Sequence, residues 1–274
     1  MLNFNVDHQK CVKCGTCAKA CPAMVIDMVY GYPLVTPEKE QGCYKCQHCF
    51  TICPSGAISI FGLDAKNSKP LGTPCIDPDN FETFIKGRRS IRAYRDEDLD
   101  PALIRRLLDV AGNAPSGKND RKVLFTVIDK KERLARFREQ VMAGIGRLAE
   151  EKRLPQGLEF MGHFAQLWKE KKIDVIFRGA PHVVIASAPK NAVSPIPDCY
   201  IALSYFDLFA QSLGVGTVWS GLLRWALNDL LPEEKVSLGI PEDHIFGYVI
   251  AFGKPAVTYA RTAQRGAANV HIVK

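Results

Sequence analysis

The sequence predicts two domains: a small cysteine-rich one, then a larger one whose helices and strands interleave without forming a regular βαβ series. Three observations carry this. At 274 residues, two domains are the natural expectation. Eight of the ten cysteines fall within the first 53 residues. The remainder switches between helical and strand-like apolar periods, separated by turn-rich loops. Hydrophobic content of 47% and charged content of 24% are ordinary for a globular protein.

The cysteines come in a repeat. Cys11-Val-Lys-Cys14-Gly-Thr-Cys17-Ala-Lys-Ala-Cys21-Pro22 reads C-x2-C-x2-C-x3-C-P, and Cys43-Tyr-Lys-Cys46-Gln-His-Cys49-Phe-Thr-Ile-Cys53-Pro54 repeats it. This is the run expected of a bacterial two-cluster [4Fe–4S] ferredoxin. Three closely spaced thiolates wrap one face of a cubane, and the fourth iron takes a distant ligand from the other run. One cluster would use Cys11, Cys14, Cys17 and Cys53; the other Cys43, Cys46, Cys49 and Cys21. The crossing ties together a domain too small to build much core. Zinc knuckles do not need a doubled run closed by proline, and a disulfide framework would need a secreted chain. His48 lies inside the second loop and reads as a loop residue, with tuning of that cluster as the functional alternative.

Charge and targeting narrow the class. The net charge is +7, of which residues 1–62 hold +1 (five lysines against Asp7, Asp27, Glu38 and Glu40), leaving +6 for the rest. That excess suits an anionic ligand or an acidic electron-transfer partner, or is simply a solvated basic surface. No stretch resembles a nucleic-acid module, so no nucleic-acid partner is expected. The opening residues lack the basic and apolar regions of a signal peptide, and no apolar run reaches a membrane span, so no membrane association is expected. A reducing cytoplasm suits the thiolate ligands.

Residues 1–62 are read as the cluster domain, with strand-like flanks at 25–28 and 57–60. Residues 63–80, with three prolines and no helical or strand period, read as a linker whose Cys75 is an ordinary thiol. The second domain spans 81–274. Asp100 and Pro101 start a helix as N-cap and N1, with Leu103, Ile104, Leu107, Leu108 and Ala111 on its apolar face. Strands are expected over 123–128, 182–188, 214–221 and 245–252, and helices over 130–152, 157–172, 198–213 and 232–238. Phe160, Met161, Phe164 and Trp168 share one side of the second helix; packing is the preferred reading, a lid over a substrate pocket the alternative.

Three polar stretches interrupt this apolar frame. Arg88-Arg89-Ser90-Ile91-Arg92 gathers cations and a hydroxyl that suit a phosphate. Ala114-Pro115-Ser116-Gly117-Lys118-Asn119 offers backbone amides, a hydroxyl and a side-chain amide. Gly214-x-Gly216-Thr217-x-Trp219-Ser220-Gly221 lets a flat ring approach the backbone. It lacks the third glycine of a dinucleotide fingerprint.

In this order the three stretches resemble the FMN-dependent nitroreductase family, over roughly residues 81–265, making the chain look like a ferredoxin–nitroreductase fusion. The resemblance implies an α+β fold, with a central, mostly antiparallel sheet flanked by helices. It implies FMN phosphate and ring contacts from Arg88, Ser90 and Arg92, with Arg89 beside them. Pro115, Ser116, Gly117 and Asn119 would lie along the isoalloxazine; Thr217, Trp219, Ser220 and Gly221 would approach its ring. A basic tail residue, Arg265 in preference to Arg261 or Lys254, would complete the phosphate site. A homodimer is implied, with FMN at its interface and the tail embracing the partner. The family's usual Asn-x-Gln-Pro-Trp is replaced by Asn119-Asp-Arg121-Lys-Val123, so substrate preference does not carry over.

The joined motifs describe a cytoplasmic oxidoreductase in which two [4Fe–4S] clusters exchange electrons with FMN, which reduces a small acceptor such as a nitro compound, quinone or activated double bond. NAD(P)H or an external electron-transfer protein could supply the electrons. No catalytic acid or base stands out. The alternative is an electron-transfer adaptor that serves a protein partner instead of turning over a small molecule.

Overall fold

The computed structural model describes residues 2–72 and 76–273; Cys75 lies outside the described residues. The chain separates into two units, Met1–Ile76 together with Lys118–Asp120, and Asp77–Gly117 together with Arg121–Lys274.

In the first unit, β1 (Asn5–Val6) pairs antiparallel with β4 (Ile58–Ser59), and β2 (Asp27–Val29) forms a hairpin with β3 (Tyr32–Leu34). Its helices are single turns: α1 (Thr16–Lys19), α2 (Pro37–Glu40) and α3 (His48–Thr51). The two cysteine runs share one backbone design. Lys13 and Lys45 have φ of 55° and 54°, and Gly15 and Gln47, the residues before α1 and α3, have φ of 68° and 61°. Each run thereby turns back on itself twice before a short helix begins. Leu2, Val25, Ile26, Phe50, Ile58 and Ile60 close around the buried Cys17 and Cys49.

The second unit begins earlier than the linker reading allowed. α4 spans Pro78–Gly87, capped by Asp77, whose carboxylate accepts from Asn80 N at 2.9 Å. It is an Asp-Pro start like that of α5 (Pro101–Ala111), where Asp100 accepts from Ala102 N at 2.8 Å. Then follow β5 (Leu124–Ile128), α6 (Lys131–Glu150), α7 (Phe160–Lys171), β6 (His182–Pro189), α8 (Pro195–Ser212) and β7 (Gly216–Trp219). α9 (Gly221–Trp225), absent from the sequence reading, is capped by Ser220 and runs on as a π turn over Ala226–Leu230. α10 (Glu233–Ser237) and β8 (His244–Gly253) complete the unit.

The four long strands lie in the order β5-β6-β8-β7, every neighbouring pair antiparallel. Strand alternation divides β6 between two cores. Val183 and Ile185 join Leu134, Val141, Met161 and Phe177 on the α6–α7 side. Val184, Ala186 and Ala188 join Leu107, Leu203 and Phe206 on the α5–α8 side. A sheet sandwiched by helices on both faces is the α+β arrangement expected. Met161 is fully buried and Ala165 nearly so, while Trp168 donates to Glu139 of α6 at 2.9 Å, so α7 is a packed helix. Among the described residues, no helix is long and apolar enough to cross a membrane.

Candidate functional site

Two sets of neighbouring cysteines, each drawn from both runs, lie in the first unit: Cys17 with Cys14 and Cys53, and Cys49 with Cys21, Cys43 and Cys46. Burial pushes the Cys17 thiol up, the Ala18 amide opposes, and the thiols of Cys53 and Cys14 add to the rise. Burial likewise pushes Cys49 up to about 11, against the Phe50 amide and with help from Cys43, Cys21 and Cys46. These are neighbours drawn from both runs. Cys21, Cys43, Cys46 and Cys49 line one cavity with Val25, Ile26 and His48 on its walls. Among the described residues no three His, Cys, Asp or Glu converge on a single ion. A dry, apolar-walled set of cysteines fits [4Fe–4S] clusters. Cys14, by contrast, is exposed, and the Thr16 hydroxyl beside it lowers its pKa.

In the second unit the polar stretches gather around one aspartate that sequence reasoning missed. Asp207 is buried in α8. Thr217 and Trp219 alternate onto the face of β7 that α8 covers. Thr217 Oγ1 donates to Asp207 Oδ1, and Trp219 Nε1 donates to Oδ2 at 2.9 Å. Arg88 Nη1 stands 3.6 Å from the same Oδ2. The Arg88–Arg92 segment is itself tied to β7, since Ile91 N donates to Thr217 O at 2.8 Å. The Ile91 side chain lies so close to Gly216 that a Cβ there would stand 2.8 Å from Ile91 Cγ1.

Two guanidinium atoms here lack acceptors. Arg88 Nη1 and Arg89 Nη2 are buried without a hydrogen-bond partner, although Arg89 Nη1 donates to Arg88 O at 2.6 Å. Unsatisfied buried donors are costly, and two cations side by side more so. A dianionic phosphate with several acceptor oxygens matches that deficit. Tyr94 braces the segment by donating to Ile91 O at 2.8 Å and Ala251 O at 3.2 Å. Burial pushes its pKa up, Arg92 opposes, and Asp207 adds a further upward push. Ser90 is half-buried, and Arg92 is exposed.

The loop after α5 is joined to α8 as well. Gly117 N donates to the buried Asp198 at 3.1 Å, and Ser116 Oγ accepts from Arg121 N at 2.9 Å. Pro115 and Ser116 line a cleft of about 170 Å³ with Arg121, Phe125 and Asp198. Arg121, at the family's glutamine position, donates to Gly112 O at 3.1 Å and so closes its own loop. Asn119 belongs to the first unit, where Nδ2 donates to the carbonyls of Tyr44 and Lys45 at 3.1 Å each.

Beyond β7, Ser220 Oγ caps α9, accepting from Leu223 N at 3.3 Å and donating to Ile176 O at 3.1 Å. A Cβ at Gly221 would lie 3.2 Å from the Tyr248 hydroxyl. The Tyr200 ring stacks parallel to Trp219 at 6.1 Å, and both lie against Tyr248 at 5.4 Å. Arg265 is exposed in the tail and has no hydrogen bond or ion pair among the described residues. Lys254, another tail candidate, pairs with Glu97 at 3.0 Å.

An antiparallel sheet packed between helices, with two buried guanidinium nitrogens lacking hydrogen bonds near its edge strand, defines an α+β protein. Residues 85–254, more than half of the chain, match the nitroreductase family, and residues 10–58 match the 4Fe-4S dicluster domain. The chain belongs to the nitroreductase family and is an oxidoreductase carrying a ferredoxin-type domain. It is 29% identical over 177 residues to a Methanothermobacter thermautotrophicus protein named for NADH dehydrogenase/NAD(P)H nitroreductase activity, covering 63% of this chain and 75% of that one. It is 28% identical over 197 residues to nitroreductase NfnB of Mycolicibacterium smegmatis, covering 61% and 82%. The fold is shared with an FMN-bound nitroreductase from Bacteroides fragilis, with a TM-score of 0.58 and 24% identity over 72% of this chain and all of that one.

Proposed function

We propose that this chain is an FMN-dependent oxidoreductase whose two [4Fe–4S] clusters exchange electrons with the flavin, and that it reduces a small acceptor. The observation that carries the flavin is the pair of unsatisfied buried guanidinium atoms of Arg88 and Arg89 beside β7. When bound, FMN supplies conversion between single electrons and hydride-equivalent pairs, and the clusters supply single electrons. The chain's own residues bind and orient. Arg88 and Arg89, with Ser90 and Arg92, would hold the phosphate. Pro115, Ser116 and Gly117, on a loop anchored by Asp198, and Thr217, Trp219, Ser220 and Gly221 would border the ring. Cys11, Cys14, Cys17 and Cys53 would hold one cluster, and Cys43, Cys46, Cys49 and Cys21 the other.

The working form in this reading is a homodimer. Ile196, Tyr200, Ile201 and Tyr205 lie exposed on the outer face of α8, and the tail exposes Val257, Tyr259, Val270, Ile272 and Val273. Apolar surface of that extent is what a second copy would cover. The partner would also give Arg265 something to bind. Sedimentation of the flavin-loaded chain tests this, and a monomer would sink it.

Function is tested by anaerobic flavin bleaching of the purified, cluster-loaded chain, offered NADH, NADPH or reduced ferredoxin in turn, followed by addition of a nitroaromatic or quinone. Bleaching by any of the three, with reoxidation by the small acceptor, is the expected result. A chain that purifies without FMN and does not take it up refutes the reading. Bleaching without turnover of any small acceptor would make it an adaptor for a protein partner.

A further inference from the structure

Asp207 has no part in the contacts assigned to the flavin, yet it sits at the point where they join. Its side chain is only 6% exposed, and its neighbours on the inward face of the helix, Leu203, Phe206 and Ala210, are apolar. A carboxylate there costs several kcal/mol unless donors surround it. The chain provides Thr217 Oγ1 on one oxygen and Trp219 Nε1 on the other. Arg88 stands 3.6 Å away with the facing nitrogen unbonded. An apolar residue would pack α8 against β7 without any of these requirements. The charge therefore has a use beyond packing.

We propose that Asp207 is a positioning and tuning residue of the flavin site, which fixes Thr217 and Trp219 and lowers the midpoint potential of a flavin held beside them. Two physical effects support it. The carboxylate locks the indole of Trp219, whose plane is already parallel to Tyr200 within 6°. It also places a negative charge, in a water-poor setting, behind the side chains that border the ring. Reduced flavin carries more negative charge than oxidised flavin, so the buried anion disfavours the reduced form. The chain thereby keeps its flavin a stronger reductant. This rests on the FMN reading given above.

The test is a redox titration of the purified full chain with clusters loaded, following the flavin band, in wild type, Asp207→Asn and Asp207→Glu. Asparagine keeps the shape and one acceptor but removes the charge. The Asp207→Asn potential should rise by a tenfold change in the oxidised-to-reduced equilibrium, about 30 mV for a two-electron couple. Asp207→Glu keeps the charge and should stay near wild type. An unchanged Asp207→Asn potential, or an equal rise in both variants, would overturn the proposal, the latter because packing and not charge would be responsible. If Asp207→Asn does not fold, Thr217→Val decides. It keeps the charge and strips one screening donor, so its potential should fall or hold, and a rise would count against the inference. A wild-type chain that binds no FMN fails at the earlier reading and is distinguishable from all of these.

Discussion

The side chain of Cys199 on α8 rests directly on the backbone of Gly247 in β8. A Cβ at Gly247 would stand 2.4 Å from Cys199 Cβ and 2.8 Å from the Ala186 carbonyl oxygen. Neither is the free end of a flexible chain, so neither can swing aside. Gly247→Ala should therefore lower stability by about 1–3 kcal/mol, the usual cost of overpacking a core. Urea denaturation followed by tryptophan emission would measure it, and a change below about 0.5 kcal/mol would contradict this account of the contact.

The same contact seals Cys199. Burial, reinforced by Asp198, pushes its thiol up to about 12. At pH 8 it should stay a thiol and resist alkylation in the folded chain, reacting only after unfolding. Cys199→Ser should leave the iron content unchanged. Mass spectrometry of the alkylated native protein checks the first point and an iron assay the second.

Replacing Arg88 with methionine should weaken FMN binding by roughly tenfold to a hundredfold, since bonds to charged groups contribute about 1.5–3 kcal/mol. Riboflavin, which lacks the phosphate, should bind the variant nearly as well as wild type. Flavin fluorescence titration compares the two ligands. Equal losses for both would place Arg88 against the ring instead.

Cys14→Ser and Cys46→Ser should each cost iron and sulfide while FMN remains bound, because the proposed flavin contacts are in other stretches. Reduction of the flavin by reduced ferredoxin should slow sharply in both. Stopped-flow absorbance would show it, and an unaltered rate would mean that the clusters are not on the route.

His182 makes stability depend on pH. It is fully buried, and Leu99 N donates to its Nε2 at 2.9 Å. Burial depresses its pKa below the ordinary 6.5, with Asp98 opposing. The unfolded chain thus takes up more protons as the pH falls below about 6.5. Stability is full above that pH and declines as the folded-state value is approached from above. His182→Gln, which retains an acceptor for Leu99, should show a shallower fall in melting temperature between neutral and mildly acid pH.

What the sequence disclosed depended on how local the cause was. α5 was legible because Asp100, Pro101 and the Leu103–Ala111 stripe all lie within one helix. The same Asp-Pro start at Asp77 and Pro78 was hidden by a run of further prolines, and α4 was read as linker. α9 went unseen because its cap, Ser220, had been read only as a ring contact. The strands of the second unit were legible from their apolar runs, and the doubled cysteine spacing marked the first unit, though not its β1 strand or β2–β3 hairpin. Asp207 could be noticed only as an acid in an apolar helix. Its role arises when β7 folds against α8 and brings Thr217 and Trp219 to it. Arg265 lies in the tail beyond the backbone pairings at Pro255 and Ala256, and its proposed role rests on the family resemblance alone.

The mixed company kept by Cys17 and Cys49 has a consequence for how the protein is made. Cys17 neighbours Cys53, and Cys49 neighbours Cys21, so each cage draws on both runs. As the chain leaves the ribosome, neither proposed cage could close before the second run emerges: one would wait for Cys49 and the other for Cys53. A truncated product ending before Cys49 would have no complete site to offer an iron–sulfur carrier. Once assembled, the two sites share their walls, and oxidative loss of one cluster would loosen the ligand that anchors the other. If both clusters are held in this crossed way, oxygen exposure should strip them together with no lasting half-loaded form.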